Sequence, residues 1–333
     1  MGQPGAGSRD RQQHPPGAHR KNRSRLRVAL RHQQPRARSD HDDRDRAPLP
    51  ARGGARPLVI RLIATDLDNT LLAADRRPHP RSAAAIQRAV EAGITVVLAS
   101  GRIGHSIRGI SEILGLEGPI IACNGADAFG PAGENWMHHR LDRTSLDLVL
   151  DFAIEHEVQA NVYTREEVTF LGDSEWSRRY LMRLNQSNDR HIVVPRQKDA
   201  DSVRTLDVSK VIFVDDPVRI QRYRRELEPQ LNPHAARVTE SEPEYLEFLA
   251  ASASKGTGLR LVAERLGVPM EETAAIGDFL NDIEMLEAAG LSAAVGNAIA
   301  PVQKVVDRIV GTNDEGGVGE FIESILEGAV GLQ

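Results

Sequence analysis

From about Leu58 onward, apolar residues fall into short runs that alternate with amphipathic stretches. The runs LVIRLIATD, ITVVLAS and PIIACNG have the length and the β-branched content of buried strands. The stretch SAAAIQRAVEAG predicts a helix with Ser82 as its N-cap and Gly93 just past its C-terminus. Short apolar strands alternating with helices are typical of a parallel sheet covered on both faces, so the pattern predicts an α/β fold.

The middle of the chain, residues 143–248, has a different pattern. Strand-like segments (VQANVYT, EVTFLGD, SKVIFVDD) are separated by charged helical stretches (SEWSRRYLMRLNQ, VRIQRYRRELEP). After EPEYLEFLA the first pattern returns and continues to a final helix near Glu320–Glu327. We therefore predict three parts: an extension (1–57), a core domain in two pieces (58–142 and 249–333) and a small α/β domain (143–248).

Charge separates the extension from the rest. Residues 1–58 carry 14 Lys and Arg against 5 Asp, a charge of +9, so the remainder carries −14 of the total of −5. This segment lacks apolar periodicity, which predicts disorder or a start codon assigned upstream of a true beginning near Leu58. A basic arm that contacts nucleic acid is the alternative, weakened by the absence of aromatic residues that would stack on bases.

Composition also bears on location. The single cysteine, Cys123, excludes an intrachain disulfide and suits a reducing compartment, with a buried structural thiol as its expected role. The sequence contains no run of 18 or more apolar residues, so no membrane-spanning helix is predicted. The Arg-rich beginning lacks the apolar stretch of a signal peptide. We expect a cytoplasmic protein without a membrane partner.

Two carboxylates one residue apart, Asp66 and Asp68, end the first predicted strand. Acidic residues are common in turns, so the pair alone is a weak signal. Its chemical interpretation is a nucleophile with a general acid/base, since residues i and i+2 of a strand lie on one side. Asn69 fits the turn that follows because asparagine tolerates left-handed backbone geometry.

Two further stretches offer groups that bind phosphate. Ser100 and Gly101 follow the second strand, where a hydroxyl and backbone N–H groups could hold a phosphoryl oxygen; a plain strand-to-helix turn is the alternative. In SASKGTGL, Ser254 is a plausible N-cap, which places Lys255 in the first helical turn. A cation is unfavourable there unless an anion offsets it, whereas a solvated surface lysine would need no partner.

The stretch IGDFLNDIEML is the most specific. Gly277-Asp278 ends an apolar strand, and Asp282 lies four residues later on the same helical face. Asp278 as an N-cap and Asp282 as a complement to the helix dipole would explain each residue separately. Neither explains four carboxylates at strand ends that should converge. Such a cluster of oxygen ligands suits Mg²⁺.

Four segments in this order, DLDNTLL, ASGR, SKGTGL and GDFLND, resemble the motifs of the haloacid dehalogenase (HAD) phosphohydrolase superfamily. The flanking CNGA and AVGNA resemble its Cof-type branch. Asn69 and Phe279 depart from the usual pattern, and Phe279 could narrow the entrance or alter the fit of the leaving group. Ser100 and Lys255 are 155 positions apart, so the resemblance implies a Rossmann-like parallel-sheet core with an α/β cap inserted between motifs two and three.

The resemblance also implies roles. Asp66 would attack phosphorus to give a phospho-aspartyl intermediate, and Asp68 would protonate the leaving oxygen and then activate water. The metal ligands would be Asp66, the backbone carbonyl of Asp68, Asp278 and Asp282. Phosphoryl oxygens would be bound by Ser100, Gly101, Lys255 and Asn281. Arg102 would either assist or face solvent.

The expected activity is that of a Mg²⁺-dependent phosphatase acting on a small phosphorylated metabolite, such as a sugar phosphate or a phosphorylated cofactor. A phosphomutase of similar architecture and a regulatory protein that contacts nucleic acid through the arm are the alternatives. We expect a monomer or homodimer with no nucleic-acid partner. For the arginines of the charged cap helices we expect a solvated face, with contact to the substrate as the alternative; these are Arg178, Arg179, Arg183 and Arg190.

Overall fold

The computed structural model describes residues 59–172, 174–186, 193 and 196–330. The predictions for residues 1–57 and for Arg190 lie outside these residues. The strands are β1 (Leu62–Thr65), β2 (Thr95–Ala99), β3 (Ile120–Ala122), β4 (Asp127–Phe129), β5 (Asn135–His138), β6 (Gln159–Thr164), β7 (Val168–Leu171), β8 (Arg196–Gln197), β9 (Val208–Val214), β10 (Ala236–Glu242), β11 (Tyr245–Ala250), β12 (Thr273–Gly277), β13 (Leu291–Ala294) and β14 (Arg308–Ile309). The helices are α1 (Pro80–Glu91), α2 (Gly104–Ile113), α3 (Arg143–Glu155), α4 (Glu175–Gln186), α5 (Ala200–Arg204), α6 (Pro217–Leu227), α7 (Lys255–Leu266), α8 (Ile283–Ala288), α9 (Ala300–Gln303) and α10 (Gly317–Val330).

The strands form two sheets. The first, called the core sheet here, has the order β14-β13-β12-β1-β2-β3-β4-β5. Its pairs from β14 to β3 are parallel, and β4 and β5 add an antiparallel edge. The second, the cap sheet, has the order β10-β11-β9-β6-β7-β8 and is antiparallel except for the pair β7–β8. The predicted α/β class with a parallel sheet is confirmed.

The core sheet is assembled from two distant parts of the chain. Strand β1 lies between β2 and β12, with Leu62 opposite both Thr95 and Thr273. The carboxyl ends of these parallel strands therefore meet at one edge, and the residues that follow them are Asp66, Ser100 and Asp278. This is the edge at which ligands bind in open α/β sheets.

Apolar side chains divide into three buried clusters. The largest belongs to the core sheet and its helices, and a second belongs to the cap sheet with α3 and α6. A third cluster joins the two parts, because it contains Ile103, Cys123 and Ala126 beside cap residues such as Phe170 and Ile212. The buried thiol predicted for Cys123 is confirmed, and it lies between core and cap.

One detail of the first helix was predicted wrongly. Helix α1 begins at Pro80, and His79 is its N-cap, with a ring nitrogen that accepts a hydrogen bond from the N–H of Arg81. Proline suits the first helical position because its φ is preset and it needs no backbone donor there. Ser82 is instead buried inside the helix, and its hydroxyl accepts from the N–H of Gly319.

The strands β4, β5, β10 and β11 were not among the predicted segments. Strand β11 ends at Ala250, two residues past the cap boundary of 248. The division into 58–142, 143–248 and 249–333 stays a prediction. No helix among the described residues is long and apolar enough to cross a bilayer.

Candidate active site

Lys255 is buried between two carboxylates. Its Nζ lies 2.5 Å from Oδ1 of Asp66 and 2.6 Å from Oδ1 of Asp282. Ser254 is the N-cap of α7, as predicted, and forms a capping box with Thr257. The lysine is therefore at the positive end of a helix, where these two anions offset its charge. Burial alone would lower the pKa of Lys255, but Asp282 and Asp66 raise it above its ordinary value.

Asp66, Asp278 and Asp282 form a buried acidic group. Each offers one carboxylate oxygen, and these atoms lie within 4.8 Å of one another. Oδ1 of Asp278 accepts a hydrogen bond of 2.8 Å from Thr70, whereas Oδ2 of Asp282 accepts from the N–H groups of Asp278 and Phe279. These hydrogen bonds fix the loop after β12 and hold the three carboxylates close together.

The electrostatics of this group favour a cation. Burial raises the pKa of Asp66 to about 7, with Lys255 acting in the opposite direction. Burial and the neighbouring charges of Asp66 and Asp282 also raise the pKa of Asp278. Three hard oxygen donors that repel one another when ionised suit Mg²⁺, which prefers carboxylate and water ligands. The residues present therefore fit the predicted metal.

Asp68 has different partners. Its carboxylate receives two hydrogen bonds from Arg102, at 2.8 and 2.6 Å, and a third from Arg76 at 3.0 Å. Burial alone would raise its pKa, but Arg102 and Arg76 lower it to about 2. The alternative of a solvent-facing Arg102 is wrong, since this side chain is buried. The Asp68 side chain is not part of the acidic group; the predicted metal contact through its backbone carbonyl stays a prediction.

The turn after β1 has the predicted backbone. Asn69 has a φ of 62°, in the left-handed region, and its carbonyl oxygen accepts a hydrogen bond of 2.8 Å from Nδ2 of Asn297. This turn brings Thr70 back to Asp278. The loop that carries Asp66 and Asp68 is thus bound to the loop after β12 through Thr70 and to the loop after β13 through Asn69.

A cavity of about 580 Å³, counting the part open to solvent, lies above these loops. Six of the predicted site residues line it: Asp66, Asp68, Ser100, Gly101, Asp278 and Asn281. Lys255 and Asp282 do not line it and lie buried behind Asp66. Phe279 is absent from the lining, which is drawn from described residues only.

Several lining residues come from the cap and were missed by sequence reasoning. Of the two alternatives for Arg183, the structure favours a position at the site, because Arg183 lines the cavity and pairs with Glu242 at 2.5 Å. Arg178 and Arg179 are exposed, as expected. Lys210 and Glu247 also line the cavity, as a buried ion pair of 2.5 Å. One signal could have found this pair: each is a single charge inside an otherwise apolar strand, VSKVIFV and YLEFLA.

Fold and site together define an enzyme with a parallel α/β core, a separate cap sheet and a centre of buried carboxylates. The sequence pattern of the haloacid dehalogenase-like hydrolases matches residues 63–322, and the chain belongs to this family. It is 30% identical over 287 residues to phosphatase YwpJ of Bacillus subtilis, covering 80% of this chain and all of the relative. It is 27% identical to the pyridoxal phosphate phosphatase YbhA of Escherichia coli, covering 81% of this chain and 100% of that protein.

Solved structures agree with this membership. A haloacid dehalogenase-like hydrolase from Bacteroides thetaiotaomicron is similar with a TM-score of 0.71 and 29% identity, covering 80% of this chain and 99% of that one. Another, from B. subtilis, has a TM-score of 0.72 and 25% identity, covering 79% and 99%. The predicted capped Rossmann-like fold and Cof-type resemblance are confirmed, and the chain is a HAD-type phosphatase.

Proposed function

We propose that this protein is a Mg²⁺-dependent phosphatase that hydrolyses a small phosphorylated metabolite through a phospho-aspartyl intermediate. One observation carries the proposal: the carboxylates of Asp66 and Asp278 line the cavity side by side, while Lys255 and Asp282 lie buried behind Asp66. A carboxylate so placed is accessible to a phosphoryl group on one side and held in position on the other. Relatives named for HMP-PP, pyridoxal phosphate and a phosphoribitylaminouracil support a small phosphorylated metabolite as the substrate.

In the first step an Asp66 oxygen attacks phosphorus, and the bond from phosphorus to the leaving oxygen breaks. Asp68 donates a proton to that oxygen. In the second step Asp68 takes a proton from water, whose oxygen attacks the same phosphorus and releases phosphate and the Asp66 carboxylate. Arg102 and Arg76 lower the pKa of Asp68 and so favour its ionised form, which is the form needed for the second step. A phosphate that competes for Arg102 and Arg76 would favour the protonated state needed for the first.

The other residues provide electrostatic stabilisation. The Ser100 hydroxyl, the backbone at Gly101 and the Asn281 amide line the same cavity and would bind phosphoryl oxygens. Lys255 would neutralise charge on Asp66. Asp66, Asp278 and Asp282 would hold Mg²⁺, together with the predicted carbonyl of Asp68, and the bound ion would offset charge on the phosphoryl group.

The test is a phosphate-release screen across phosphorylated sugars and cofactors. We expect at least one compound to be hydrolysed by the wild type and by Asp201→Asn, which alters an exposed carboxylate, but not by Asp66→Asn. Thorough chelation should abolish release, and added Mg²⁺ should restore it. Turnover in Asp66→Asn at the wild-type rate would refute the mechanism. Transfer of phosphate to a sugar, with none released, would favour a phosphomutase instead.

Other expectations stay predictions, namely cytoplasmic location, a monomer or homodimer, and the absence of a nucleic-acid partner. Deletion of residues 1–57 tests the last of these. Strongly salt-dependent nucleic-acid binding that this deletion removes would contradict it.

A further inference from the structure

Asn124 connects the cap to a predicted phosphate ligand. It follows β3, is 2% exposed, and donates a hydrogen bond of 2.8 Å from Nδ2 to Oε2 of Glu247 on β11. Its Oδ1 accepts a hydrogen bond of 3.0 Å from Nδ2 of Asn281, in the turn after β12. A single side chain thus contacts both the cap sheet and the active-site loop.

The chemistry of these partners fixes the direction of both hydrogen bonds. A carboxylate only accepts, so Glu247 must face the NH₂ group of Asn124. The carbonyl oxygen of that amide then faces Asn281, which must donate. An amide nitrogen carries two protons, so Asn281 keeps one N–H for a phosphoryl oxygen. Glu247 therefore fixes the orientation of the Asn124 amide, and this orientation in turn holds the NH₂ group of Asn281, and not its oxygen, toward Asn124.

Glu247 is itself held rigidly. It is fully buried, pairs with Lys210 at 2.5 Å and accepts a hydrogen bond from Ser241. Asn124 is fixed on the core side, where its backbone N–H donates to the carbonyl of Ser100 at 3.0 Å and its φ is 53°. Asparagine is one of the few residues that adopt this left-handed conformation readily.

We propose that Asn124 is a positioning residue that couples seating of the cap to the orientation of the Asn281 amide. With the cap in place, Glu247 holds the Asn124 side chain in the orientation that accepts from Asn281. With the cap displaced, the Asn124 amide loses this partner and Asn281 loses its fixed orientation. The catalytic part of the proposal rests on the proposed function, in which Asn281 binds a phosphoryl oxygen.

A charge exchange tests the coupling on the hydrolysed substrate. Asn124→Asp places two carboxylates at a distance of 2.8 Å, and Glu247→Gln removes the acceptor charge. In the double variant the NH₂ group introduced at position 247 can donate to the carboxylate introduced at position 124, so the pair is restored with reversed direction. Lys210, which donates to the same Glu247 oxygen as Asn124 does in the wild type, would then have to pair with the new carboxylate at position 124. We expect each single variant to lose about 10- to 100-fold in kcat/KM, mainly in kcat, since a hydrogen bond to a charged group is lost. The double variant should recover about tenfold over Asn124→Asp.

Losses that simply multiply in the double variant would overturn the coupling, because independent sites are additive in free energy. Asn232→Ala is the matched control. Its side chain lies on the exposed surface of the cap and, among the described residues, accepts a local hydrogen bond from the N–H of His234. It should retain wild-type kcat and KM.

The native thiol provides a readout that does not depend on activity. Cys123 is 1% exposed in the apolar cluster between core and cap. The rate at which Cys123 reacts with an aromatic disulfide reagent should rise about tenfold in Asn124→Asp and in Glu247→Gln, the second of which changes a cap residue. This is the effect expected when one charge-assisted hydrogen bond that holds the cap is lost. The double variant should react more slowly than either, and Asn232→Ala as slowly as the wild type.

Thermal unfolding of each variant shows whether the labelled population is folded. Unchanged labelling in folded Glu247→Gln and Asn124→Asp would overturn the proposed coupling. If the wild type hydrolyses no phosphorylated compound, the proposed function fails, whereas the labelling rates still decide whether Asn124 and Glu247 hold the cap.

Discussion

Replacing Lys255 by methionine should destabilise the fold and make its stability depend more strongly on Mg²⁺. The variant leaves Asp66 and Asp282 without the buried ammonium that both contact. Removing one partner of a buried ion pair costs about 3–5 kcal/mol because an uncompensated charge stays buried. Asp66, whose pKa is already about 7, can take up a proton and relieve part of this cost. We therefore expect a loss of about 3 kcal/mol at neutral pH, at the lower end of that range.

The assay is urea unfolding with a chelator and then with saturating Mg²⁺. A ligand at 100 times its Kd stabilises the native state by about 2.7 kcal/mol. A site that has lost a neighbouring positive charge binds a cation more tightly, so Mg²⁺ should stabilise the variant by about 1 kcal/mol more than the wild type. Lys304→Met removes an exposed lysine and should change neither quantity.

Two results would contradict this reasoning. A loss below about 1 kcal/mol in chelator would mean that the Lys255 ammonium does not compensate the buried carboxylates. An equal Mg²⁺ effect in variant and wild type would mean that the ion does not bind beside Asp66 and Asp282.

Three further predictions concern single groups. In chelator, the native state holds a proton on Asp66 between pH values of about 4 and 7, where the unfolded carboxylate has lost it, so this contribution to stability falls as the pH rises through that window. The thermal midpoint should therefore drop between pH ~4 and ~7, and should drop less in Asp66→Asn. Asn69 has a φ of 62°, so Asn69→Gly should keep the wild-type free energy of unfolding within a few tenths of a kcal/mol, whereas Asn69→Ala should lower it by about 1 kcal/mol. Equal free energies of unfolding in the two variants would contradict the role of the left-handed turn. Ser254→Ala should lower the free energy of unfolding in urea by about 1 kcal/mol, because the capping box at the N-terminus of α7 is broken. An unchanged free energy would show that the Ser254 side chain does not stabilise the helix.

Local patterns made much of the core predictable. Apolar strands separated by amphipathic helices indicated the parallel sheet, and the rule that strand ends share one edge brought Asp66, Ser100 and Asp278 together. Ser254 was identified as an N-cap from local sequence, because a capping side chain bonds to the backbone only three positions further on. These features depend on short stretches of sequence, so they can be inferred without knowing the tertiary structure.

Pairing across long distances was out of reach. Nothing near Asp68 in sequence shows that Arg102 and Arg76 bind its carboxylate, so the sequence left open whether Arg102 assists or faces solvent. Likewise, Glu247 and Lys210 look like separate charges until β9 and β11 pair and place Glu247 opposite Ile212. A charge in a buried strand signals that a partner exists, but tertiary contacts select the partner.

The pairing of β1 with β12 has a consequence for biosynthesis. All partners of the cap sheet lie within residues 159–250, so that sheet can form while later residues are still being translated. Strand β1 can pair with β2 early, but its other side must wait for β12, and Asp66 must wait for Lys255, 189 positions later. Because domains tend to fold as units during synthesis, we infer that the cap folds first and the nucleophile acquires its surroundings last. A nascent chain without its final third carries Asp66 and Asp68 but lacks Lys255, Asp278 and Asp282, the charged groups that surround the proposed nucleophile.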